Sequence, residues 1–184
     1  MTSSRLSEGD KMKLRLSKKE DFSDVKAIYD DIIDNTIDTG VGPSWVRGVY
    51  PSDEYLLEKI ELNQLCVVEY ENKIVSSLIF DNIAYEGYDK VNWKVNARED
   101  EICIVHCFAT LPSYQGKGVS KFMLEEARKY ALKTNLKVIR INVLSHNTPA
   151  KKFFEKEGFT YIDTVNLEYG ELGTLEFCMY EYGL

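Results

Sequence analysis

The feature that most constrains this chain is an apolar strand that leads through a glycine turn straight into an amphipathic helix. The apolar run 101–110 precedes a turn with Gly116-Lys117-Gly118, and helical periodicity begins at Val119. Glycine lets the main chain approach a ligand closely, and the free N–H groups at a helix start favour an anion. The turn is therefore a candidate pyrophosphate cradle, with an ordinary strand-to-helix connection as the alternative. It is not the nucleotide P-loop, because the GxxxxGK[ST] spacing is absent.

Hydrophobic periodicity predicts the element order β-α-α-β-β-β-α-β-α-β-β. Ser17 with Glu20 forms a capping-box pattern before the first helix, and Ser52 can cap the second. Asn147 can cap the last helix, with Pro149 in its first turn. The order implies an α/β (α+β) fold with helices on the faces of a mixed sheet. The predicted strands are 12–16, 65–70, 74–81, 101–110, 138–144, 161–167 and 175–182, and the best-defined helix is 119–133.

Length and composition indicate one globular domain. The chain has 184 residues, of which 12–184 suit a single core and the polar segment 1–11 is expected to be a disordered extension. No apolar run approaches the roughly 18 residues of a membrane span, and no secretory signal pattern opens the chain, so we expect a cytoplasmic protein without a membrane partner. The four scattered cysteines are expected to be buried reduced thiols, and no Cys/His cluster predicts a metal site.

Charge is distributed unevenly along the chain. The net charge of −7 argues against nucleic-acid binding. Within 115–156, however, ten Lys/Arg and three Glu give a local balance of +7. A basic zone in an acidic protein favours an anionic ligand there. The alternative is a solvated face on one long helix.

A second motif lies downstream and completes a family resemblance. The segment NTPAKKFFEKEGF (147–159) is similar to N-x-x-A-x-x-[LF]-Y-x-x-x-G-F, and QGKGVS (115–120) fits [QR]-x-x-G-x-[GA] except at Ser120. With these two motifs in order, the chain resembles the GCN5-related N-acetyltransferases (GNAT) from about Met12 to its C-terminus. The two departures are Ser120, which is still small, and Phe154, which stands where the family often has a tyrosine that protonates the leaving thiolate.

The resemblance implies a fold and a co-substrate. The central sheet should be mostly antiparallel with helices on both faces, and its fourth and fifth strands should splay apart. Acetyl-CoA should then lie with its pantetheine in the gap and its pyrophosphate on the N–H groups of 115–120. The main chain at Thr110 should belong to the region that stabilises the oxyanion. The expected cofactor-binding residues are Phe108, Ala109, Thr110, Gln115, Gly116, Lys117, Gly118, Val119, Ser120, Asn147, Ala150, Phe153 and Phe154.

His106 is the candidate general base, because it lies on the strand just before the expected thioester site and histidine titrates near neutrality. The resemblance supports this choice, since serotonin N-acetyltransferase has a histidine at the matching position. The alternatives are a packed histidine, bulk water, or one of the acids Asp30, Asp31, Asp34, Asp100 and Glu101. Cys107 is not expected to take part, because adjacent residues in a regular strand point to opposite faces.

The acceptor is expected to be a primary amine of a small molecule, attacking the thioester directly. Its pocket should involve the first helix, the loop 36–51 and the segment 83–100, where acids cluster with Tyr85 and the candidate substrate-binding residues Trp45, Tyr50, Tyr88 and Trp93. The alternative for these residues is loop packing beside a solvated acidic face. The alternative function is a non-catalytic coenzyme-A-binding module, and a third possibility is a nucleotide-binding or interaction protein on a similar scaffold. A homodimer is one option for the assembly.

Overall fold

The structure is a computed structural model that describes residues 11–184. The strands are β1 (Lys13–Leu16), β2 (Leu65–Tyr70), β3 (Lys73–Asp81), β4 (Ile102–Thr110), β5 (Val138–Leu144), β6 (Thr160–Glu168) and β7 (Thr174–Gly183). The helices are α1 (Phe22–Thr36), α2 (Asp53–Glu61), α3 (Val119–Lys133) and α4 (Thr148–Lys156). Residues 1–10 of the predicted N-terminal extension lie outside the described residues, so the division into 1–11 and 12–184 stays a prediction.

All seven strands form one sheet in the order β1-β2-β3-β4-β5-β7-β6. Every neighbouring pair is antiparallel except β4 and β5, which run parallel. The predicted mixed, mostly antiparallel sheet is therefore confirmed. No helix within residues 11–184 has both the length and the apolar character needed to cross a membrane.

Local capping explains where three helices begin. The Ser52 hydroxyl accepts a hydrogen bond from the Tyr55 N–H at 3.1 Å, and Asn147 caps α4, as predicted. The predicted Ser17–Glu20 capping box is wrong. Asp21 instead accepts a hydrogen bond from the Lys18 N–H at 2.7 Å while Arg15 of β1 binds its carboxylate, so a short 3-10 turn precedes α1.

The helices cover both faces of the sheet. On one face, Val25 and Ile28 of α1 are fully buried against β2, β3 and β4 together with α2. On the other face, Met123 of α3 and Phe154 of α4 are buried against β4, β5 and β7. Each such large apolar side chain stabilises the fold by about 1.5–3 kcal/mol, and together they hold the helices against the central strands of the sheet.

Candidate active site

The sheet opens between its two parallel strands. The β4–β5 pairing runs from Ile102↔Val138 to Val105↔Ile141 and goes no further. Beyond that point β4 remains paired with β3 up to Thr110, and β5 remains paired with β7 up to Leu144. The predicted splay is therefore present. The cleft there has a volume of about 80 Å³. Its lining includes His106, Phe108, Asn142, Asn147, Ala150, Phe154, Tyr85, Tyr169 and Trp45.

A β-bulge sits where the two strands part. Ser77 pairs with Ala109 but Ile79 pairs with His106, so Cys107 and Phe108 together lie opposite one residue of β3. Cys107 takes the extra turn with a left-handed φ of 49°. The Tyr29 hydroxyl of α1 donates a hydrogen bond to the Cys107 carbonyl at 2.9 Å and thereby holds the bulge in place.

The bulge overturns the expected alternation of His106 and Cys107. Cys107 packs with Ala109 on the α1/α2 side, and His106 reaches Asp81, which pairs with Lys59 of α2, so both side chains lie on the same face. The Cys107 thiol nevertheless does not suit nucleophilic chemistry. Burial raises its pKa to about 12, and the group stays a neutral thiol at neutral pH.

The His106 imidazole is buried and held by one carboxylate. Its Nε2 lies 3.0 Å from Asp81 Oδ1, its side chain is 4% exposed, and the ring of Tyr85 meets it edge-on at 5.3 Å. Its other nitrogen, Nδ1, has no hydrogen-bond partner among residues 11–184. His106 lines the cleft, and Nδ1 is the ring nitrogen that Asp81 does not hold.

Asp81 is itself held by Lys59, whose Nζ lies 2.7 Å from Oδ2, and by the Ile83 N–H. Burial by itself raises the pKa of Asp81. The hydrogen bond from His106, the imidazolium charge and the Lys59 hydrogen bond outweigh burial and lower the pKa to about 2. Sequence reasoning missed both residues. The one available signal was a lysine on the apolar face of α2, between Leu56 and Ile60.

The other candidate bases are engaged elsewhere. Four of the five form salt bridges, and the cleft lining includes none of the five within the described part of the chain. The pairs are Glu101 with Lys137 at 2.9 Å, Asp100 with Arg98 at 3.0 Å, and Asp30 and Asp34 with Arg47 at 2.7 Å each; Asp31 accepts a hydrogen bond from Asn35 at 3.1 Å.

The glycine turn forms an open cradle at the N-terminus of α3. Gly116 and Gly118 have left-handed φ angles of 75° and 82°, and a Cβ on either would meet nothing within 4 Å. Gly118 is the N-cap of α3 and supplies no capping side chain, so the first N–H groups of the helix are left for a ligand. Lys117 lies over the Tyr114 ring at 4.5 Å, and the Gln115 amide is 3.5 Å from the Thr110 carbonyl. This arrangement fits a pyrophosphate.

Ser120 is accommodated where the family motif has glycine or alanine, because its hydroxyl has a hydrogen-bond partner inside the protein. Ser120 Oγ lies 2.9 Å from Thr110 Oγ1, which lies 2.8 Å from Ser76 Oγ. The chain of three hydroxyls ties α3 to β4 and β3. Val119 is buried in the core beneath this turn, so only its main chain can face a ligand.

Aromatic rings form the α4 wall of the cleft. Phe108 of β4 contacts Phe153 and Phe154, with ring centroids 5.8 and 5.5 Å apart. Phe154 lines the cleft itself, and as a phenylalanine it brings no hydroxyl to that wall. Asn147 accepts a hydrogen bond from the Ala150 N–H at 3.3 Å, which orients the first turn of α4 toward the cleft.

A second cavity of about 350 Å³ adjoins the cleft and shares Tyr85 and Tyr169 with it. The phenols of Tyr50 and Tyr85 lie 3.0 Å apart between the two spaces. The cavity is lined by Gly48, Val49, Tyr50, Ser52, Glu54, Tyr85, Tyr169, Gly170 and Glu171. Tyr169 was missed by sequence reasoning, because it follows β6, far along the chain from the other tyrosines.

Two of the four predicted substrate-binding residues line the cleft or the second cavity, and the other two line neither. Trp45 lines the cleft and Tyr50 lines the second cavity. Tyr88 is buried, and its hydroxyl donates to Asn142 Oδ1 at 2.7 Å. Trp93 stacks on Arg140 at 4.2 Å and belongs to neither lining. Their position is therefore one of support to the cleft wall.

Comparison with known proteins agrees with this geometry. The model of the acetyltransferase (GNAT) family matches residues 28–159. YwnH of Bacillus subtilis (strain 168), which carries the provisional name phosphinothricin acetyltransferase, is 31% identical over 152 residues, covering 80% of this chain and 83% of that protein.

Solved structures share the fold at low identity. A GNAT-family acetyltransferase from Streptococcus agalactiae 2603 superposes with a TM-score of 0.79 at 14% identity, covering 94% of this chain and 95% of that one. The PaiA N-acetyltransferase of Thermoplasma acidophilum, solved in complex with coenzyme A, gives 0.70 at 18% identity, covering 95% and 99%. The chain therefore belongs to the acetyltransferase (GNAT) family and is an acetyl-CoA-dependent N-acetyltransferase.

Proposed function

We propose that this enzyme transfers the acetyl group of acetyl-CoA to the primary amine of a small molecule, by direct attack within a ternary complex. The observation that carries the proposal is the position of His106. Its Nδ1 has no hydrogen-bond partner in the described part of the chain, and the residue lines the same 80 Å³ cleft as Phe108 at the bulge and Ala150 of α4.

The chain's own main-chain groups are suited to hold the acyl donor. The N–H groups at the start of α3 would bind the pyrophosphate, and the gap between β4 and β5 would take the pantetheine arm. β5 does not pair with β4 beyond Val105, which supports a role for main-chain N–H groups at residues 108–110, including Thr110, in binding the thioester oxygen. Holding both reactants in one cleft should supply much of the rate enhancement.

Proton removal would be the task of His106. An alkyl amine has a pKa of about 10.4, so only roughly one molecule in 2,500 is neutral at pH 7. As the nitrogen–carbon bond forms and the carbon–sulfur bond breaks, Nδ1 would take the amine proton and sulfur would keep the electron pair. A thiol has a pKa of about 8.5, so the thiolate can leave without an acid. Phe154 is compatible with this chemistry.

The second cavity supports an acceptor that is cationic away from its reacting amine. Glu54 and Glu171 line it together with the tyrosines, and its lining holds no Lys or Arg among residues 11–184. Acidic groups and aromatic faces both attract a cation. The relative named for phosphinothricin supports a small-molecule acceptor in general terms.

The test is release of free thiol from acetyl-CoA with a panel of small primary amines. His106→Ala should lower kcat by roughly 10²–10⁴-fold and alter its pH dependence, while the acetyl-CoA affinity measured by calorimetry stays within a few-fold of wild type. His146→Ala is the matched control, because His146 is exposed and its side chain bonds only Ser44 among the described residues. An unchanged pH profile in His106→Ala would remove His106 from the mechanism.

The alternative function is separated by the same assay. Tight acetyl-CoA binding with no thiol release on any amine would favour the non-catalytic coenzyme-A-binding module. The cytoplasmic location, the exclusion of nucleic-acid and membrane partners and the homodimer option stay predictions. The four free cysteines support a reducing compartment.

A further inference from the structure

Three charged or titratable side chains form a buried hydrogen-bonded row behind the cleft. Lys59 Nζ lies 2.7 Å from Asp81 Oδ2, and Asp81 Oδ1 lies 3.0 Å from His106 Nε2. The side chains are 5%, 1% and 4% exposed, respectively. They come from α2, β3 and β4, so these three side chains meet only when the sheet has folded.

The hydrogen-bonding capacity of each group determines which nitrogen of His106 carries the proton. A neutral imidazole has one N–H and one lone pair, and an ionised carboxylate only accepts hydrogen bonds. Asp81 accepts hydrogen bonds from the buried Lys59 ammonium and the Ile83 N–H, and both favour its ionised form. The His106 nitrogen that faces it must therefore carry the proton, and the lone pair must lie on Nδ1, which has no partner among residues 11–184.

Stability alone does not account for such a row. Desolvation of two buried charges often cancels their attraction, and well-packed apolar residues in their place are frequently neutral or stabilising. A row that ends on a histidine at a reactive cleft instead matches the arrangement in which a carboxylate orients a general base.

We propose that Asp81, held by Lys59, is a positioning residue that fixes His106 in the Nε2–H tautomer, so that Nδ1 accepts the proton of the attacking amine. The inference rests on the proposed function of His106 as the base. Asp81 also stabilises the imidazolium that forms when the proton arrives, and Lys59 limits that stabilisation, so that His106 can release the proton afterwards.

The titratable groups around the imidazole decide whether a pH–activity profile can test the inference. Besides Asp81 and, through it, Lys59, the titratable groups at the cleft are Tyr85, Tyr169 and Cys107. Burial raises the pKa of both phenols, and it raises the pKa of the thiol to about 12. None of these three groups changes charge near neutral pH. The acid limb, the fall of kcat/KM on the low-pH side of its profile, should therefore report His106 as influenced by Asp81 and Lys59.

Two variants should shift that limb in opposite directions. Asp81→Asn removes the anion that favours the imidazolium, so the limb should move to lower pH and kcat should fall by roughly 10²–10⁴-fold, with KM for acetyl-CoA nearly unchanged. Lys59→Met removes the competing cation, so the limb should move to higher pH. Both variants break the same ion pair. A role confined to structure would therefore lower both melting temperatures and leave both limbs in place, and that result would overturn the inference.

A variant that fails to fold does not end the test. Asp81→Asn leaves the buried Lys59 ammonium without a counter-charge. The double variant Lys59→Met with Asp81→Asn removes both charges, and its acid limb should still lie at lower pH than that of the wild type. Asp53→Asn is the matched control. It breaks the ion pair with Lys26 outside the cleft lining, and its limb should coincide with that of the wild type.

A second readout does not depend on catalysis. The chain has only two histidines, so nitrogen-15 NMR can assign each imidazole with His146→Ala as the reference. Wild-type His106 should be the Nε2–H tautomer, and Asp81→Asn should populate the other one. A protonated Nδ1 in the wild type would overturn the inference. The expected tautomer in an enzyme whose His106→Ala variant keeps full activity would instead refute the proposed base and leave the tautomer assignment standing.

Discussion

Gly118→Ala separates the cost of folding from the cost of binding acetyl-CoA. Gly118 has a φ of 82°, and a Cβ there would meet no heavy atom within 4 Å. The methyl group therefore clashes with nothing in the protein and adds only the backbone strain of a left-handed non-glycine residue, about 1–2 kcal/mol. In a chain of this length that strain should lower Tm by roughly 2–8 °C.

Binding should suffer more than folding. The methyl group would project into the space that the pyrophosphate is proposed to occupy beside the first N–H groups of α3. Each hydrogen bond to a charged group contributes about 1.5–3 kcal/mol, so loss of a single one weakens the acetyl-CoA Kd by roughly 10–100-fold. Calorimetry with acetyl-CoA measures that loss, and thermal unfolding measures the strain.

Two matched controls are available, one a variant of the protein and the other a shortened acetyl donor. Gly40→Ala imposes similar strain, since Gly40 has a φ of 64° and equally open space, but it lies in the loop after α1. It should lower Tm and keep the wild-type Kd. Acetyl-pantetheine lacks the pyrophosphate, so its kcat/KM should be the same in Gly118→Ala and wild type. A folded Gly118→Ala enzyme with an unchanged acetyl-CoA Kd would refute the cradle, as would an equal loss with acetyl-pantetheine.

Three further predictions concern the groups around the cleft. Ser120→Ala should cost about 1 kcal/mol in unfolding free energy, because the Thr110 hydroxyl loses a partner, and should leave the acetyl-CoA Kd unchanged; a large change in Kd would contradict a purely internal role. Tyr29→Phe leaves the Cys107 carbonyl at the bulge without its donor, so it should cost about 1–3 kcal/mol by denaturant titration and lower kcat, and wild-type kcat would show that the bulge does not need this bond. The pKa of Asp81 is lowered to about 2, so its stabilising contribution is complete above its ordinary pKa of 3.8 and is lost as pH falls through 2. Acid titration of the unfolding free energy should show that loss, and the double variant Lys59→Met with Asp81→Asn should lack it.

Features encoded by short stretches of sequence were predictable. Helix α3 covers 119–133 as its periodicity predicts, and Ser52 and Asn147 cap the helices that follow them. These features depend on residues within one or two turns of each other. The Ser17–Glu20 prediction failed although the residues concerned are equally close in the sequence, because Arg15 of β1 and the Lys18 N–H both bind Asp21, and Asp21 rather than Ser17 therefore marks the start of the helix.

Residues that meet only through tertiary structure were not predictable. Tyr169 reaches the cleft from the end of β6, and no local pattern marks it. Lys59 does carry a signal, since Leu56, Lys59 and Ile60 share the buried face of α2. A lysine on such a face needs an acidic partner. The sequence has 30 acids, and nothing local selects Asp81 among them.

The bulge explains why the pairing of Asp81 with His106 lay beyond sequence reasoning. The pairing of Ser77 with Ala109, continued without a bulge, would place Asp81 opposite Val105. His106 would then point to the other face of the sheet, because adjacent residues in a strand alternate. The extra residue at the bulge shifts the register by one, so that Asp81 lies opposite Ile104 and His106 follows two residues later on the same face. One left-handed residue, Cys107, thus decides whether the imidazole has a carboxylate behind it. Periodicity in a single strand cannot reveal this, because the shift exists only in the pairing of two strands.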